Sequence, residues 1–391
     1  MSTPPASSVP ASPAPFAGLV VVELGHSVAA PFAGQILSEL GAEVIKVEKA
    51  DGDDARRWGP PFWEGAGAFF QVLNRNKQSV VCELRDPDQL EALRTLITER
   101  ADIVLQNLRP GHVEKLGLDG PSLLQRKPSL IYCNLGAFGA TGPLKDRPGY
   151  DPLMQAFGGI MSTTGEVGRP SVRVGASIVD MGTGMWAVIG ILTALHQRQA
   201  SGLGQVVDVS LFETASTWVS LLAAQVLASG QVTPKQGSGS PGIVPYKAYA
   251  TRDGEIVIAA GSDVLFRSLA QVLGRPEWID DPRFIDNPSR VAHAAALYAM
   301  IDALILEQPG AHWIAALEAA GVPCAPVNNL AEMMAHPQTQ ALGLLQDVPG
   351  TGMRFIGLPL SFNGQRPHPR SAPPRLGEHN ELLTRRTPTC T

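Results

Sequence analysis

"LVVVELGHSVAAPFAGQILSELGAEVIKVE", Leu19 to Glu48, decides the fold. Its first six residues are an almost unbroken apolar run, the pattern of a strand buried on both faces of a parallel sheet. "APFAGQILSELGA" then reads as a helix, with Pro31 near its start and Gly41 at its end. "EVIKVE" is the next strand. Strand, helix and strand in succession imply a right-handed crossover and a parallel sheet with helices on its faces. The alternation continues through "QSVVCEL", a helix opened by Asp86-Pro87, "DIVLQNL", the short helix "PSLLQRK" and "LIYCNL". The fold class is therefore α/β.

Beyond Gly149 the reading gives helices over 151–161 and 181–200, the strand "VVDVSL", and one helix, "FETASTWVSLLAAQVLAS". "GQVTPKQGSGSPGIVP" (230–245) is the clearest break in composition and reads as a linker or loop. After it, "YKAYATRDGEIVIAA" is a hairpin turning at Asp253-Gly254. Helices follow at about 262–273, 289–307 and 310–320, so a smaller α+β domain precedes a Pro-rich tail.

With 391 residues the chain is long enough for two domains and a sizeable core. Hydrophobic residues at 44% and charged ones at 17% are those of a globular protein. A net charge of −5 argues against a nucleic-acid partner. Cys82, Cys133, Cys324 and Cys390 are scattered, with neither metal-ligand spacing nor a disulfide framework, and read as reduced thiols. The first fifteen residues, "MSTPPASSVPASPAP", lack the charged and apolar regions of a secretory signal and read as a disordered tail. Apolar runs such as "MWAVIGILTAL" are shorter than the roughly 20 residues that span a bilayer. No membrane partner and a cytoplasmic location are expected.

The turn after the first strand, "ELGHSVAAPFAGQ", lacks the glycine fingerprint of dinucleotide sites, and no phosphate loop of the "GKS" type occurs. No His, Asp and Glu set has metal-ligand spacing, so no metal is expected; His26, His112, His196 and His293 stand alone as surface or core residues. What recurs is cations near strand ends: Lys46, Lys49, Arg56, Arg57, Arg75, Lys77, Arg85, Arg109 and Lys115. The carboxyl ends of strands form the ligand crevice of such sheets, so these point to a ligand with several phosphates. "RVGASIVDMGTGMWAVIGILTAL" (Arg173–Leu195) places one acid, Asp180, between apolar segments. Burying a carboxylate is costly unless it is paired or hydrogen-bonded. Asp180 is thus either a helix N-cap or a catalytic group, and the local sequence leaves both open.

Eight ordered stretches, among them "NRNKQSVV", "LQNLRPGHVEKLGL", "RPGYDPLMQAFGGIMSTTG", "SIVDMGTGMWAVIGILTAL" and "EAAGVPCAPVNNL", resemble the class III CoA-transferases (CaiB/BaiF family), from about residue 16 to 383. Within that family the likeness is strongest to its succinyl-CoA-using branch. The resemblance implies a substrate rather than a permanent cofactor, coenzyme A as acyl-CoA, and free carboxylic acids as co-substrates. The family's aspartate nucleophile falls on Asp180, with Asp151 as a supporting acid or as the cap of the helix starting at Pro152. Its CoA contacts fall on Val28, Ala29, Lys49, Arg85, Asn107, Leu108, Lys115 and Tyr150. Lys49 and Lys115 stand where formyl-CoA transferase has arginines, which keeps the charge but loses the planar fork. Gly182 and Gly184 are read as allowing close approach of the thioester.

"QGSGSPG", with Gly237 and Gly239, resembles the family's glycine loop, or is a plain linker; Arg147, Arg169 and Arg173 are candidates for binding the far carboxylate of a dicarboxylic acid. Tyr150 stands where the related α-methylacyl-CoA racemases carry a histidine base, and a phenol is a poor base at neutral pH. Racemization is therefore the second reading, and a CoA-binding protein without turnover the third. The resemblance implies an interlocked-ring homodimer of chains with a disordered tail (1–15), a large Rossmann-like CoA-binding domain (16–200), a connecting strand and helix (201–229), a small domain (230–328) and a C-terminal segment returning to the large domain (329–391).

Overall fold

The predicted alternation forms a six-stranded parallel sheet in a computed structural model that describes residues 14–384. Its strands are β1 (Val20–Leu24), β2 (Glu43–Glu48), β3 (Lys77–Val81), β4 (Ile103–Gln106), β5 (Ile131–Gly136) and β6 (Val206–Ser210). They lie in the order β3-β2-β1-β4-β5-β6, with a reversal between β1 and β4. This is the doubly wound order of dinucleotide-binding folds, in which the crevice sits outside the carboxyl ends of the strands. Four helices bear on the site: α1 (Ala29–Glu39), α2 (Asp151–Phe157), α3 (Ile178–Ser201) and α4 (Leu211–Trp218).

Local chemistry accounts for the boundaries. Asp86 caps the helix Pro87–Arg100 by accepting from the backbone N–H groups of Asp88 and Gln89, with Pro87 in the first turn. The first-unit core joins Val22, Ile45, Val80 and Val104 of the sheet to Leu93 and Ile97 of that helix. The predicted helix over 151–161 stops at Phe157, because Gly159 takes a left-handed φ of 89°. The predicted helix over 212–229 is two helices, α4 and Ser220–Ser229, which part at Val219. The predicted helix over 289–307 likewise parts at His293, into Asn287–Ala292 and Ala294–Ile305. Neither break has a glycine or proline to announce it.

The chain divides into two units along lines that composition did not reveal. Among the described residues, the first holds those up to Gly158, then Gly175–Trp218, then Gln338 to Thr384; the second holds Gly159–Val174 and Val219–Pro337. The boundaries read at 200/201, 229/230 and 328/329 are thus replaced by crossings after Gly158, Val174, Trp218 and Pro337. The stretch 230–245 is not a linker between units but part of the second. There Lys235 donates to the Arg169 carbonyl (2.7 Å) and the Gly237 N–H to the Gly165 carbonyl (3.0 Å). The second unit's core is a three-stranded sheet, β7 (Tyr246–Ala250), β8 (Glu255–Ala259) and β9 (Cys324–Pro326), with Phe266, Leu269, Leu297, Ile301 and Leu317 packed on it.

Strand β3 is an edge of the large sheet, and the C-terminal segment covers it. The His379 N–H donates to the Ser79 carbonyl (2.9 Å), and Asn380 Oδ1 accepts from the Val81 N–H (2.7 Å). An otherwise unpaired edge is thereby closed. Among the described residues Cys82, Cys133 and Cys324 are free thiols; Cys390 and the predicted disordered tail, apart from Ala14 and Pro15, lie outside them. The apolar run around Met185 is longer as a helix than the sequence suggested. Helix α3, with 24 residues, is long and apolar enough to cross a membrane by length and composition.

Candidate active site

The carboxyl ends of all six strands and the turns behind them enclose a cavity of about 910 Å3, lined by first-unit residues. That is the size of a cofactor site. Residues 24–29 line it after β1, 47–54 after β2, 82–85 after β3 and 106–112 after β4. The loop 145–150, Asp180, Asp208 and Val209 are also part of the wall.

Asp180 is not the N-cap of α3. Ser177 holds that place, and Asp180 stands in the first turn, where the helix dipole favours a negative charge. The cap role falls to Asp151, which is buried and reaches across from α2 rather than capping its own helix. Its Oδ2 accepts from the backbone N–H groups of Val179 (2.8 Å) and Asp180 (3.2 Å), and its Oδ1 from Gln155 Nε2 (2.6 Å). Among the described residues no donor reaches the Asp180 carboxylate itself. Burial, and then the negative charge of Asp151, push its pKa up to about 7. The result is a carboxylate at the cavity wall without hydrogen bonds to blunt it, held by a neighbouring acid that also resists its ionisation.

The glycines behind Asp180 do a different job from the one expected. A side chain at Gly182 would strike Trp218 and Thr214 of α4, and one at Gly184 would strike the Ala29 carbonyl and Phe32 of α1. Both glycines let helices approach α3, so they fix its position rather than admit a ligand.

Elsewhere on the wall, Asn107 clamps the first turn. Its Oδ1 accepts from the His26 N–H and its Nδ2 donates to the His26 carbonyl, both at 2.9 Å. A second chain of amides crosses the strand ends. Asn134 Nδ2 donates to Asp208 (2.7 Å), Gln106 Nε2 to Asn134 Oδ1 (2.6 Å), and the Leu108 N–H to Gln106 Oε1 (2.8 Å). Asn107 and Leu108, both expected contacts, thus shape the wall with groups already committed inside the protein.

Of the expected contacts, Val28, Ala29, Lys49, Arg85, Asn107, Leu108, Tyr150 and Arg147 line the cavity together with Asp180. Lys115 does not, although its neighbours Glu114 and Leu116 do. Gly237, Gly239 and Arg173 belong to the second unit. The strand-end cations also sort themselves. Lys46 and Lys77 are buried and paired with Glu23, Arg75 is buried and paired with Glu39, and Arg56 pairs with Glu48 over the Phe70 ring. These four do not line the cavity, whereas Lys49, Arg85 and Arg109 do. Lys49 is partly neutralised by Asp54 at 2.9 Å. His26 and His112, read from the sequence as surface or core histidines, line it as well, as does Lys145, which that reading did not name. Each follows the carboxyl end of a strand, the one signal that would have found it. Burial lowers the His26 pKa against the pull of Asp53, so its imidazole is neutral at pH 7.

The family model for CoA-transferase family III matches residues 16–380. The chain belongs to CoA-transferase family III. It is 37% identical over 380 residues to a succinate–glutarate CoA-transferase of Agrobacterium fabrum, covering 93% of this chain and 94% of that one. It is 36% identical to an acetyl-CoA:oxalate CoA-transferase of Acetobacter aceti, covering 96% and 97%. Among solved structures, a CaiB/BaiF family protein from Brucella suis superposes with a TM-score of 0.86 at 39% identity, covering 95% of this chain and 99% of that one. This family III member is therefore an enzyme of the CoA-transferase class.

Proposed function

We propose that this enzyme moves CoA from an acyl-CoA, with succinyl-CoA as the leading candidate, to a dicarboxylic acid, and that Asp180 is its covalent nucleophile. The observation that carries the proposal is the Asp180 carboxylate, without hydrogen bonds from the described residues, at the wall of a cavity built from strand ends. Its ionised form attacks the donor thioester carbonyl; the C–S bond breaks, giving a mixed anhydride and CoA thiolate. The thiolate attacks the aspartyl carbonyl and expels the donor acid, leaving an aspartyl-CoA thioester. The acceptor carboxylate attacks that thioester and releases thiolate, which then attacks the acceptor carbonyl and regenerates Asp180. Asp151 supports the reaction by fixing the first turn of α3.

Val28, Ala29, Lys49, Arg85, Asn107, Leu108 and Tyr150 are proposed as the CoA-binding wall, with Lys115 as an outlying charge. Of the three candidate arginines, Arg147 is the one that lines the cavity and is assigned to the acceptor's far carboxylate. Gly237 and Gly239 remain candidates for a loop over the substrate, and Arg173 for a second acid contact. The donor follows from relatives such as the succinyl-CoA–D-citramalate CoA-transferase of Chloroflexus aurantiacus, 36% identical over 382 residues. A homodimer is part of the reading. The helix Ser220–Ser229 buries none of its residues, and α3 presents Met181, Met185, Ile189 and Leu192 to solvent; a second copy would cover such apolar faces.

The test is mass spectrometry after incubation with succinyl-CoA and hydroxylamine. A hydroxamate should map to Asp180; modification at any other acid, with Asp180 untouched, overturns the mechanism. Exchange rates with glutarate and with butyrate decide the acceptor class, and preference for butyrate overturns the role of Arg147.

A further inference from the structure

Beneath the turn that joins β1 to α1 lie four buried charges that the proposed reaction does not use. Glu23 stands in β1, Lys46 directly opposite it in β2, Lys77 at the start of β3, and Asp53 in the loop after β2; their exposures are 0, 0, 2 and 4%. Glu23 Oε1 pairs with Lys46 at 3.0 Å, Glu23 Oε2 with Lys77 at 2.8 Å, and Asp53 Oδ2 with Lys46 at 2.9 Å. Two cations thus balance two anions.

Lys77 Nζ also donates to Asn74 Oδ1 (3.0 Å) and Asp53 Oδ1 accepts from the Ala55 N–H (2.9 Å), but three of the four side chains share bonds to one short stretch of backbone. Lys46 Nζ donates to the Gly25 carbonyl (2.7 Å), Asp53 Oδ1 accepts from the Ser27 N–H (3.1 Å), and Lys77 Nζ donates to the Pro31 carbonyl (2.8 Å). Val28 and Ala29, which line the cavity, lie between these anchors. Ser27 is held at φ 68°, a left-handed conformation that a side-chain-bearing residue keeps only when its surroundings impose it. Gly34 leaves room for the cluster, since a methyl group there would overlap the Glu23 carboxylate.

Stability alone does not account for such a group. Charges taken from water into a core recover little more than their desolvation cost, and apolar residues of equal volume serve as well or better. What apolar residues would not supply is a fixed direction for Gly25, Ser27 and Pro31. We propose that Glu23, Lys46, Lys77 and Asp53 are positioning residues for acyl-CoA, holding the Gly25–Pro31 turn in the shape that presents Val28 and Ala29 to the ligand. The proposal rests on the reading of the cavity as the acyl-CoA site.

The test is the double variant Glu23→Gln/Lys77→Met, which removes one charge of each sign. Calorimetry with CoA and steady-state kinetics with succinyl-CoA are compared with wild type. Kd and KM should rise by about tenfold or more while kcat stays within about threefold, the pattern of lost binding rather than lost chemistry. A folded double variant with unchanged Kd and KM overturns the positioning role. Wild-type protein that binds no CoA overturns the cavity reading instead. If the double variant does not fold, hydrogen exchange on the wild-type chain decides. Amides of residues 25–30 should exchange slowly before CoA is added and change little afterwards. Rapid exchange that slows only with CoA would show a turn shaped by ligand, and would overturn the proposal.

Discussion

Replacing Asp180 with asparagine should stabilise the protein, by an amount that grows with pH. The side chain's pKa moves from 3.8 in the unfolded chain to about 7 in the fold. Between those values the unfolded chain has released its proton while the folded one retains it, so stability falls as pH rises through the window and levels off above it. Linkage puts the cost at about 2 kcal/mol at pH 5 and about 4 kcal/mol at pH 8. Asparagine has the same shape and no charge, and forfeits no hydrogen bond from the described residues. Urea unfolding of Asp180→Asn and wild type, at one protein concentration and at both pH values, should therefore give a stabilisation larger by about 2 kcal/mol at pH 8. The difference between the two pH values cancels whatever the amide does by packing. An equal effect at both would refute the view that burial and Asp151 hold this acid away from ionisation, and the same variant should lose CoA exchange altogether.

Three further outcomes follow from the site. The rate kcat/KM should climb with pH through about 7 as Asp180 ionises, and Asp151→Asn should move that limb to lower pH; a pH–rate profile of each protein checks both. Gly184→Ala should cost about 1–3 kcal/mol, because its methyl meets the Ala29 carbonyl where α3 and α1 touch, and thermal unfolding reads the loss. Asn107→Ala frees both backbone groups of His26 and should weaken CoA binding by about 1–2 kcal/mol with little change in kcat, measured by calorimetry and steady-state kinetics.

Much of the fold was legible because its signals are local. Apolar strands of five or six residues, Asp86-Pro87 at a helix start and Asp253-Gly254 at a hairpin each carry their own physical cause. Asp180 was legible as an odd acid in apolar company, and as a match to a family motif. The partners of charges were not legible. Lys46 in "EVIKVE" and Lys49 three residues later look alike in the sequence, yet one is sealed against Glu23 and the other faces the cavity. That difference depends on which strand lies alongside, a matter of tertiary pairing. Asp151 looked like the cap of its own helix because the helix it does cap begins 27 residues further on. The unit boundaries were hidden for the same reason: Gly159–Val174 joins the second unit through contacts with 235–237, and no composition shift marks it.

The closure of edge strand β3 by residues 377–380 sets an order of events during synthesis. Val81 leaves the ribosome 299 residues before Asn380, which helps to cover it. Until then the nascent chain carries an open strand edge that invites pairing with a neighbour. A ribosome stalled short of Gly377 would therefore hold a protein whose second unit is complete while the first still lacks its seal.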